Sequence, residues 1–318
     1  MVIAVGDIHG CADELRTLLD QLPLTPETTV LFLGDYVDRG PKSRLVLEII
    51  MKLAERCRVV PLLGNHEAMF LEFLRDPYSP TAAGYIFNGG SSTLASYSDD
   101  YGDYVIPESH YDFLSSLDIY HEDEHHLFVH AGLPNVPIQE LDVTLHRRDM
   151  LWIRDSFLCS DFSWSKVIVH GHTPVDAVTI LRNRINLDTG CVFNGRLSAI
   201  ELPEGRVYSV PRQLQPRVLL RDRRSRRAAV RFRGTTPVKV FRGEETCLFE
   251  TVDYSEIGLF IRSLDESAGV MFDVDELLHG LIGADERSLV EFTGQVVRCV
   301  VDERGLCYGV RLLSVRER

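Results

Sequence analysis

Five short polar clusters within the first 172 residues have the side chains needed to gather divalent metal ions. They are Gly6-Asp7-Ile8-His9-Gly10, Gly34-Asp35-Tyr36-Val37-Asp38-Arg39-Gly40, Gly64-Asn65-His66-Glu67, His130-Ala131-Gly132 and His170-Gly171-His172. Asp, Asn and His combine hard oxygen with imidazole nitrogen, a mixture that suits manganese, iron or zinc. A strand ending in a glycine-flanked turn can aim polar side chains into a common cleft at a sheet edge, and Asp7 and His9, two apart, can point the same way. One such residue in a loop is ordinarily a solvated or capping group. Five clusters in order, each behind an apolar run, form a joint pattern that isolated turns do not explain.

The elements that must position these clusters are legible from periodicity. Residues 2–5, 30–33 and 59–63 are short β-rich runs. Between them, Leu15, Leu18, Leu19 and Leu22 share one helical face, as do Val46, Ile49, Ile50 and Leu53. Pro41, after Gly40, suits the first turn of the second helix. This alternation is the signature of α/β layering. Further strands are expected over 126–130, 166–170, 185–188 and 197–202, which makes two facing sheets the expected core. Around Pro203 to Pro216 the pattern decays into Pro, Gly, Gln and Arg and reads as a boundary. Beyond Val218 the pattern is of alternating strands, notably 289–301 and 307–313 about an Asp302-Glu303-Arg304-Gly305 turn. The expected division is residues 1–210, a linker at 211–217, and a second domain at 218–318.

The first of these regions resembles the phosphoprotein phosphatase branch of the calcineurin-like metallophosphoesterases, bacterial type. Besides the five clusters, the resemblance includes the blocks Asn88-Gly-Gly-Ser-Ser-Thr93, Leu151-Trp-Ile-Arg154 and Asp188-Thr-Gly-Cys-Val-Phe193. It implies an α/β metallophosphoesterase fold of two facing β-sheets flanked by helices. It also implies that Asp7, His9 and Asp35 hold one metal, and that Asp35, Asn65, His130 and His172 hold a second, with Asp35 bridging. Manganese is the first expectation, with iron or zinc open. In His170-Gly171-His172 the second histidine matches the family's ligand, and His170 reads as a packing residue.

Two neighbouring ions can share a water, lower its pKa and present hydroxide to phosphorus while neutralising phosphate oxygens. Neither ion can protonate the leaving oxygen, so a general acid is required. His66 is the candidate, oriented by Asp38 through a carboxylate–imidazole hydrogen bond. Arg39 and Arg154 would clamp phosphate oxygens with paired N–H donors. Tyr36 reads as core. His110, His121, His125, His126, His146 and His279 fit no ligand block and read as surface or packing residues.

In the second region, Arg223-Arg-Ser-Arg-Arg227 is followed by Asp253-Tyr-Ser-Glu-Ile-Gly258, a late Val-Val-Arg strand and a closing Tyr-Gly-Val. This resembles the PilZ family of cyclic di-GMP receptors, an all-β barrel. It implies a binding site made by Arg223, Arg227, Asp253, Ser255 and Gly258.

The bulk properties agree with a folded enzyme. The 318 residues are 45% apolar and 25% charged. The net charge of −13 hides eleven basic residues against one acid, Asp222, in positions 212–242, so the remainder carries −23. An acidic body argues against nucleic-acid polymers as partners, and one arginine cluster argues for a local anionic ligand. Seven scattered cysteines without a Cys-x-x-Cys pair suit a reducing compartment. With no apolar run of membrane-spanning or signal-peptide length, a cytoplasmic protein without membrane insertion is expected.

The function expected from these readings is metal-dependent phosphoester hydrolysis, first on phosphoserine or phosphothreonine proteins, regulated by cyclic di-GMP. A dinucleoside tetraphosphate is the alternative substrate, and a small phosphoester is open. A cyclic di-GMP-binding adaptor with a weakly active phosphatase fold is the rival of another class, opposed by the complete ligand set.

Overall fold

The structure is a computed structural model that describes residues 1–79, 81–99, 103–213, 232–243, 245–255, 257–264, 272–283, 289–302 and 305–317. The chain divides into two compact units, Met1–Leu71 with Ser92–Arg217, and Glu72–Ser91 with Val218–Arg318.

The first unit opens as β1 (Val2–Val5), α1 (Ala12–Gln21), β2 (Thr29–Phe32), α2 (Ser43–Leu53), β3 (Arg58–Pro61) and α3 (Asn65–Arg75). The apolar stripes explain the helices: Leu15, Leu18 and Leu19 of α1 are buried, as are Val46, Leu47, Ile50 and Leu53 of α2. The buried face of α2 thus takes Leu47 where Ile49 was expected, and the helix starts two residues beyond Pro41. A short helix α4 (Ala82–Tyr85) leads through a π-helical turn (Ile86–Gly90) into α5 (Ser91–Ser96). There follow α6 (Glu108–Ser115), β4 (Tyr120–Glu122), β5 (His126–Val129), α7 (Val143–Trp152), α8 (Asp155–Leu158), β6 (Val167–His170), β7 (Thr179–Ile180), β8 (Arg184–Asn186), β9 (Arg196–Leu202) and β10 (Arg206–Pro211).

Two five-stranded sheets result, ordered β10-β9-β1-β2-β3 and β4-β5-β6-β8-β7. In the first, β1, β2 and the edge strand β3 run parallel; at the centre of the second, β5, β6 and β8 do. Their inward residues merge into one apolar layer, with Ala4, Leu31 and Ile200 from one sheet and Phe128, Val169 and Ile185 from the other. A second cluster around Met150, Phe157 and Trp164 joins the other face of the β5–β6 sheet to α7 and α8. The boundary region read at Pro203–Pro216 contains an unexpected element. Residues 206–211 alternate Arg-Val-Tyr-Ser-Val and pair antiparallel with β9 as an edge strand, where Pro211 is tolerated.

In the second unit the strands are β11 (Phe232–Arg233), β12 (Pro237–Arg242), β13 (Glu245–Ser255), β14 (Gly258–Ser263), β15 (Leu277–Ile282), β16 (Val290–Asp302) and β17 (Gly305–Glu317). The order β13-β12-β15-β16-β17-β14 closes on itself because β13 also pairs with β14, giving a six-stranded antiparallel barrel with β11 appended to β13. Closure removes the unpaired edges that an open sheet would expose. The barrel is filled by Phe249, Phe272 and Tyr308, whose ring centroids lie 5.5–5.9 Å apart. The same unit holds a second aromatic group. Phe232 stacks on Tyr254 at 6.1 Å, Phe87 lies 5.7 Å from Tyr254, and Phe73, near the end of α3, lies 6.2 Å from Phe232 and 4.9 Å from Tyr85. Among the described residues no helix is long and apolar enough to cross a membrane.

Phe249 is fully buried at the barrel's centre. Phe249→Ala should cost about 3–5 kcal/mol through lost burial and a residual cavity, measured as a lowered denaturant midpoint for unfolding of the barrel.

Candidate functional site

The polar clusters stand at the carboxyl ends of the parallel strands, where open α/β sheets place their ligands. Asp7 and His9 follow β1, Asp35 follows β2, Asn65 follows β3, His130 follows β5 and His172 follows β6. The structure draws them together around Asp35, which is 1% exposed. Its Oδ2 lies 3.4 Å from His9 Nε2 and 4.0 Å from His66 Nε2, and its Oδ1 lies 3.4 Å from His130 Nε2. Asn65 Oδ1 is 2.8 Å from His130 Nε2 and 3.1 Å from His172 Nδ1. Asp7 joins through the backbone N–H of His172, which donates to its carboxylate at 3.0 and 3.2 Å.

The donor set fits divalent cations on electrostatic grounds. The Nδ1–H groups of His9 and His130 point at the carbonyls of Val37 and Leu33, at 2.8 and 2.9 Å, which leaves each Nε2 lone pair facing inward. His130 Nε2 and Asn65 Oδ1, two lone-pair atoms, then converge at 2.8 Å, an arrangement that a cation relieves. Burial, the foremost cause, holds the His9, His66 and His172 imidazoles well below their usual pKa and His130 at about 4, so the rings are neutral and able to ligate. Burial also pushes the Asp7 carboxyl well up, assisted by Asp188 and Asp35. Dry, crowded carboxylates are costly unless positive charge compensates them. Two three-residue groups, His9 with Asp35 and His66, and Asp35 with His130 and His172, keep their donor atoms within 4.8 Å of one another.

Around this core, Arg39 Nη1 lies 2.7 Å from His9 Nε2, and its guanidinium stands over the Phe193 ring at 5.3 Å. On the other side the Arg154 Nε–H donates to His172 Nε2 at 3.2 Å. His66 Nδ1 lies 2.7 Å from Asp38 Oδ2, and its Nε2 has no hydrogen-bond partner. His170 packs edge-on against Phe157 at 4.9 Å behind the cluster, and burial lowers its pKa to about 3. Tyr36 is buried and donates to Leu62 O at 2.5 Å, so it is core. His110 and His126 pack against Tyr97 and Phe128, while His125 and His279 are exposed.

The backbone here is strained. Of eight non-glycine residues with positive φ among the described ones, five are His9, Asp35, Asp38, Arg39 and His172, with φ from 47° to 69°. Such conformations persist where the surroundings over-determine them, as they do at functional sites. Close approach adds to this: a Cβ on Gly64 would sit 2.2 Å from Asp35 Oδ1, and one on Gly171 would sit 2.0 Å from Asp7 Oδ1.

Four contributors had no role in the sequence reading: Glu67, Asp188, Ser43 and Thr93. The signal for Asp188 was its place after a strand in a glycine-containing block, the same signal that marked Asp35. Glu67 is fully buried. Its Oε2 accepts from the backbone N–H of Asp35 at 2.8 Å and Gly64 at 3.1 Å, and its Oε1 from Tyr36 at 2.8 Å and Val37 at 3.1 Å. Burial, then Asp35, pushes the Glu67 carboxyl up to about 7 against these bonds.

In the barrel, Asp253 and Ser255 lie on β13 and Gly258 opens β14, so the three share one hairpin in which Ser255 pairs with Gly258. A bulge between Thr251 and Asp253 breaks the register just before them. Arg223 and Arg227 lie outside the described residues.

Compared with known proteins, residues 1–202 match the family model of the calcineurin-like phosphoesterases and residues 225–318 match that of the PilZ domain. The asymmetrical bis(5'-nucleosyl)-tetraphosphatase PrpE of Bacillus cereus (strain AH820) is 30% identical, over 66% of this chain and 94% of its own. The protein of the same name from Anoxybacillus flavithermus (strain DSM 21510 / WK1) is 29% identical over 65% and 92%. A crystal structure of a proposed diadenosine tetraphosphatase is 25% identical with a TM-score of 0.51, covering 67% of this chain and 93% of that one.

Glu67→Ala would leave buried N–H donors without a partner, at about 1–3 kcal/mol each, and loosen the loop that carries Asp35. The expected result is a lower melting temperature together with weaker metal retention on dialysis. Glu67→Gln, which keeps one accepting oxygen, should fall between that variant and the wild type in both measurements.

Proposed function

The chain belongs to the calcineurin-like phosphoesterases, and from that premise we propose that its first unit hydrolyses the polyphosphate chain of a dinucleoside tetraphosphate under the control of cyclic di-GMP bound to its PilZ domain. The observation that carries the hydrolase reading is the convergence of buried His9, Asn65, His66 and His130 with Asp7 and His172 about the single carboxylate of Asp35. Support for this substrate comes from the relatives, which share nearly their whole length with this chain and are named for that activity. A phosphoprotein, expected first from the sequence, becomes the comparison substrate.

Calcineurin-like phosphoesterases use two divalent ions. In this chain Asp7, His9 and Asp35 would hold one and Asp35, Asn65, His130 and His172 the other, with manganese the first choice and iron or zinc compatible with the donors. When bound, such ions neutralise phosphate oxygens and make water nucleophilic at neutral pH. Arg39, beside His9, and Arg154, beside His172, would bind non-bridging oxygens of the phosphate chain. Water adds to phosphorus, the bond from phosphorus to the leaving oxygen breaks, and that oxygen takes a proton from His66 Nε2. Asp38 accepts from Nδ1 of the same ring and steadies its positive form. Burial, Arg39 and the neighbouring imidazoles disfavour that form in the free site, and the negative charge of an arriving polyphosphate favours it.

Given manganese and diadenosine tetraphosphate, the protein should release ATP and AMP, the one-and-three split of an asymmetrical cleavage. Asp35→Asn should abolish turnover while leaving the far-ultraviolet circular dichroism unchanged. Two molecules of ADP would reject the asymmetrical reading, and faster turnover of phosphoserine peptides than of the dinucleotide would return the phosphoprotein to first place. An Asp35→Asn variant with native metal content and native turnover would remove the two-metal assignment.

Cyclic di-GMP presents two phosphates and two guanines, and arginine can form paired hydrogen bonds with either. Arg223 and Arg227 would supply these contacts, Asp253 would accept from guanine N–H groups, and Gly258 leaves room beside Ser255. Support for regulation comes from connectivity: α3 begins at Asn65 in the first unit and ends in the second. Calorimetry should show binding by the wild type that is lost in the Arg223→Ala/Arg227→Ala double variant, with catalysis retained. Coupling to the substrate site should be reciprocal and of about 1–3 kcal/mol. Absence of binding at micromolar ligand would refute the receptor, whereas binding without any change in turnover or substrate affinity would remove the coupling alone.

A further inference from the structure

We propose that Thr93 is a positioning residue for proton transfer, holding the Asp38 carboxylate so that it in turn fixes the His66 ring. The inference rests on the general-acid reading of His66 and adds a residue to which no role in the site has been given.

Asp38 needs an external hold. It is a non-glycine residue at φ 69°, flanked by Arg39 at φ 65°, in a loop that must also present Asp35. Thr93 supplies the hold twice over with one oxygen: its Oγ1 accepts the Asp38 backbone N–H at 2.7 Å and donates to Asp38 Oδ1 at 2.6 Å. The first bond pins the strained backbone and the second pins the rotamer. Asp38 Oδ2 is then left to His66 Nδ1, at 2.7 Å. Ser43, the first residue of α2, lies 3.0 Å from Thr93 Oγ1 and accepts from the Asp38 N–H at 3.2 Å. Thr93 Oγ1 is the donor toward Ser43 in that contact, so its one proton is shared between Asp38 Oδ1 and Ser43 Oγ while its oxygen accepts the Asp38 N–H.

Ser43, Thr93, Asp38 and His66 are all fully buried. Water cannot replace a missing partner there, so the arrangement is more than a surface network. The chain of contacts ends at His66 Nε2, which has no hydrogen-bond partner and lies 4.0 Å from Asp35 Oδ2. The one ring atom without a partner is thus directed into the cluster where a leaving oxygen would be released. Among the described residues the Thr93 hydroxyl bonds Asp38 and Ser43, neither of them a proposed metal ligand, so its effect must pass through Asp38.

The test compares leaving groups. Proton donation matters for a poor leaving group such as phenolate and hardly matters for p-nitrophenolate. With manganese-loaded full-length protein, Thr93→Val should lower kcat for phenyl phosphate by about 10–100-fold, the usual scale for losing a group that orients a functional side chain. The loss for p-nitrophenyl phosphate should be much smaller, with KM and metal content near wild type. Thr93→Ser, which keeps the hydroxyl, should restore the rate on both. Ser43→Ala should show the same selectivity at smaller size, and carries the test if the valine variant does not fold.

His66→Asn, measured in parallel, separates the two levels of the argument. If it discriminates between the leaving groups and the Thr93 and Ser43 variants lose equally on both, or lose nothing, the positioning role is overturned and the general acid stands. If His66→Asn itself fails to discriminate, the general-acid reading falls and the role of Thr93 falls with it.

Discussion

The carboxylate of Glu67 is the constraint on which the site depends. It stands three residues beyond Gly64, the residue before α3, and its bond to the Gly64 N–H is half of a capping box. The same group accepts the N–H of Asp35, Tyr36 and Val37. A loop that leaves β2 and a helix that leaves β3 are thereby fixed to one another by a single buried ion. Asp35 can sit at φ 53° between them because both its backbone and its neighbour Gly64 are held. Hydrogen bonds to a charged acceptor are the stronger kind, and four of them to one carboxylate offset a desolvation cost that would otherwise neutralise it. That cost still shows in a pKa of about 7. A negative charge so placed beside Asp35 also deepens the local need for cations.

This dependence explains why the site was readable and its scaffolding was not. The proposed ligands Asp7, His9, Asp35, Asn65, His130 and His172 follow apolar runs and are flanked by glycines, both local features, so residue types and a family resemblance single them out as candidates. The facing sheets followed from the same runs, the strands of the second region from alternation after Val218, and their closure into a barrel from the PilZ resemblance. Glu67 was visible only as the last letter of its cluster, because three of its four partners lie 30–32 residues away and are backbone groups with no sequence signature. Thr93 lies 55 residues from Asp38, and the block that contains it carried no chemistry by itself. The strand β10 was obscured by surrounding Pro, Gly and Arg residues, although its own alternation is clear. The π-helical turn at Ile86–Gly90, with Gly89 at φ 101°, likewise has no period that a sequence could display.

Strain and packing are distributed in opposite senses. The central strands of both sheets are continuous apolar runs, buried on both faces, and contribute no reacting group. The positive-φ residues begin two to four residues past the strand ends, at His9, Asp35 and His172. A rigid double sheet can hold unfavourable loop conformations because moving any one loop would disturb a close-packed layer beneath it. The chemistry therefore occupies loops where backbone geometry departs from regular structure, and the core fixes how far it departs.

The regulation proposed for the PilZ domain has a covalent route to the site. The chain passes from the first unit to the second inside α3, between Leu71 and Glu72, and returns between Ser91 and Ser92. The outgoing helix starts with Asn65, His66 and Glu67 and carries Phe73 into the aromatic group with Phe232 and Tyr254. Tyr254 lies between Asp253 and Ser255 of the hairpin read as a nucleotide site, and burial lifts its phenol to about 12. The returning chain enters α5 just before Thr93. Both covalent crossings thus lead, within a few residues, to groups that set His66. A helix is stiff along its axis and transmits displacement of one end to the other, whereas Asp7, His9, His130 and His172 stand in loops that follow β1, β5 and β6 of the first unit. Control exerted through these crossings would act on proton donation and on the Asn65 side of the metal cluster, and would leave Asp7 and His9 undisturbed.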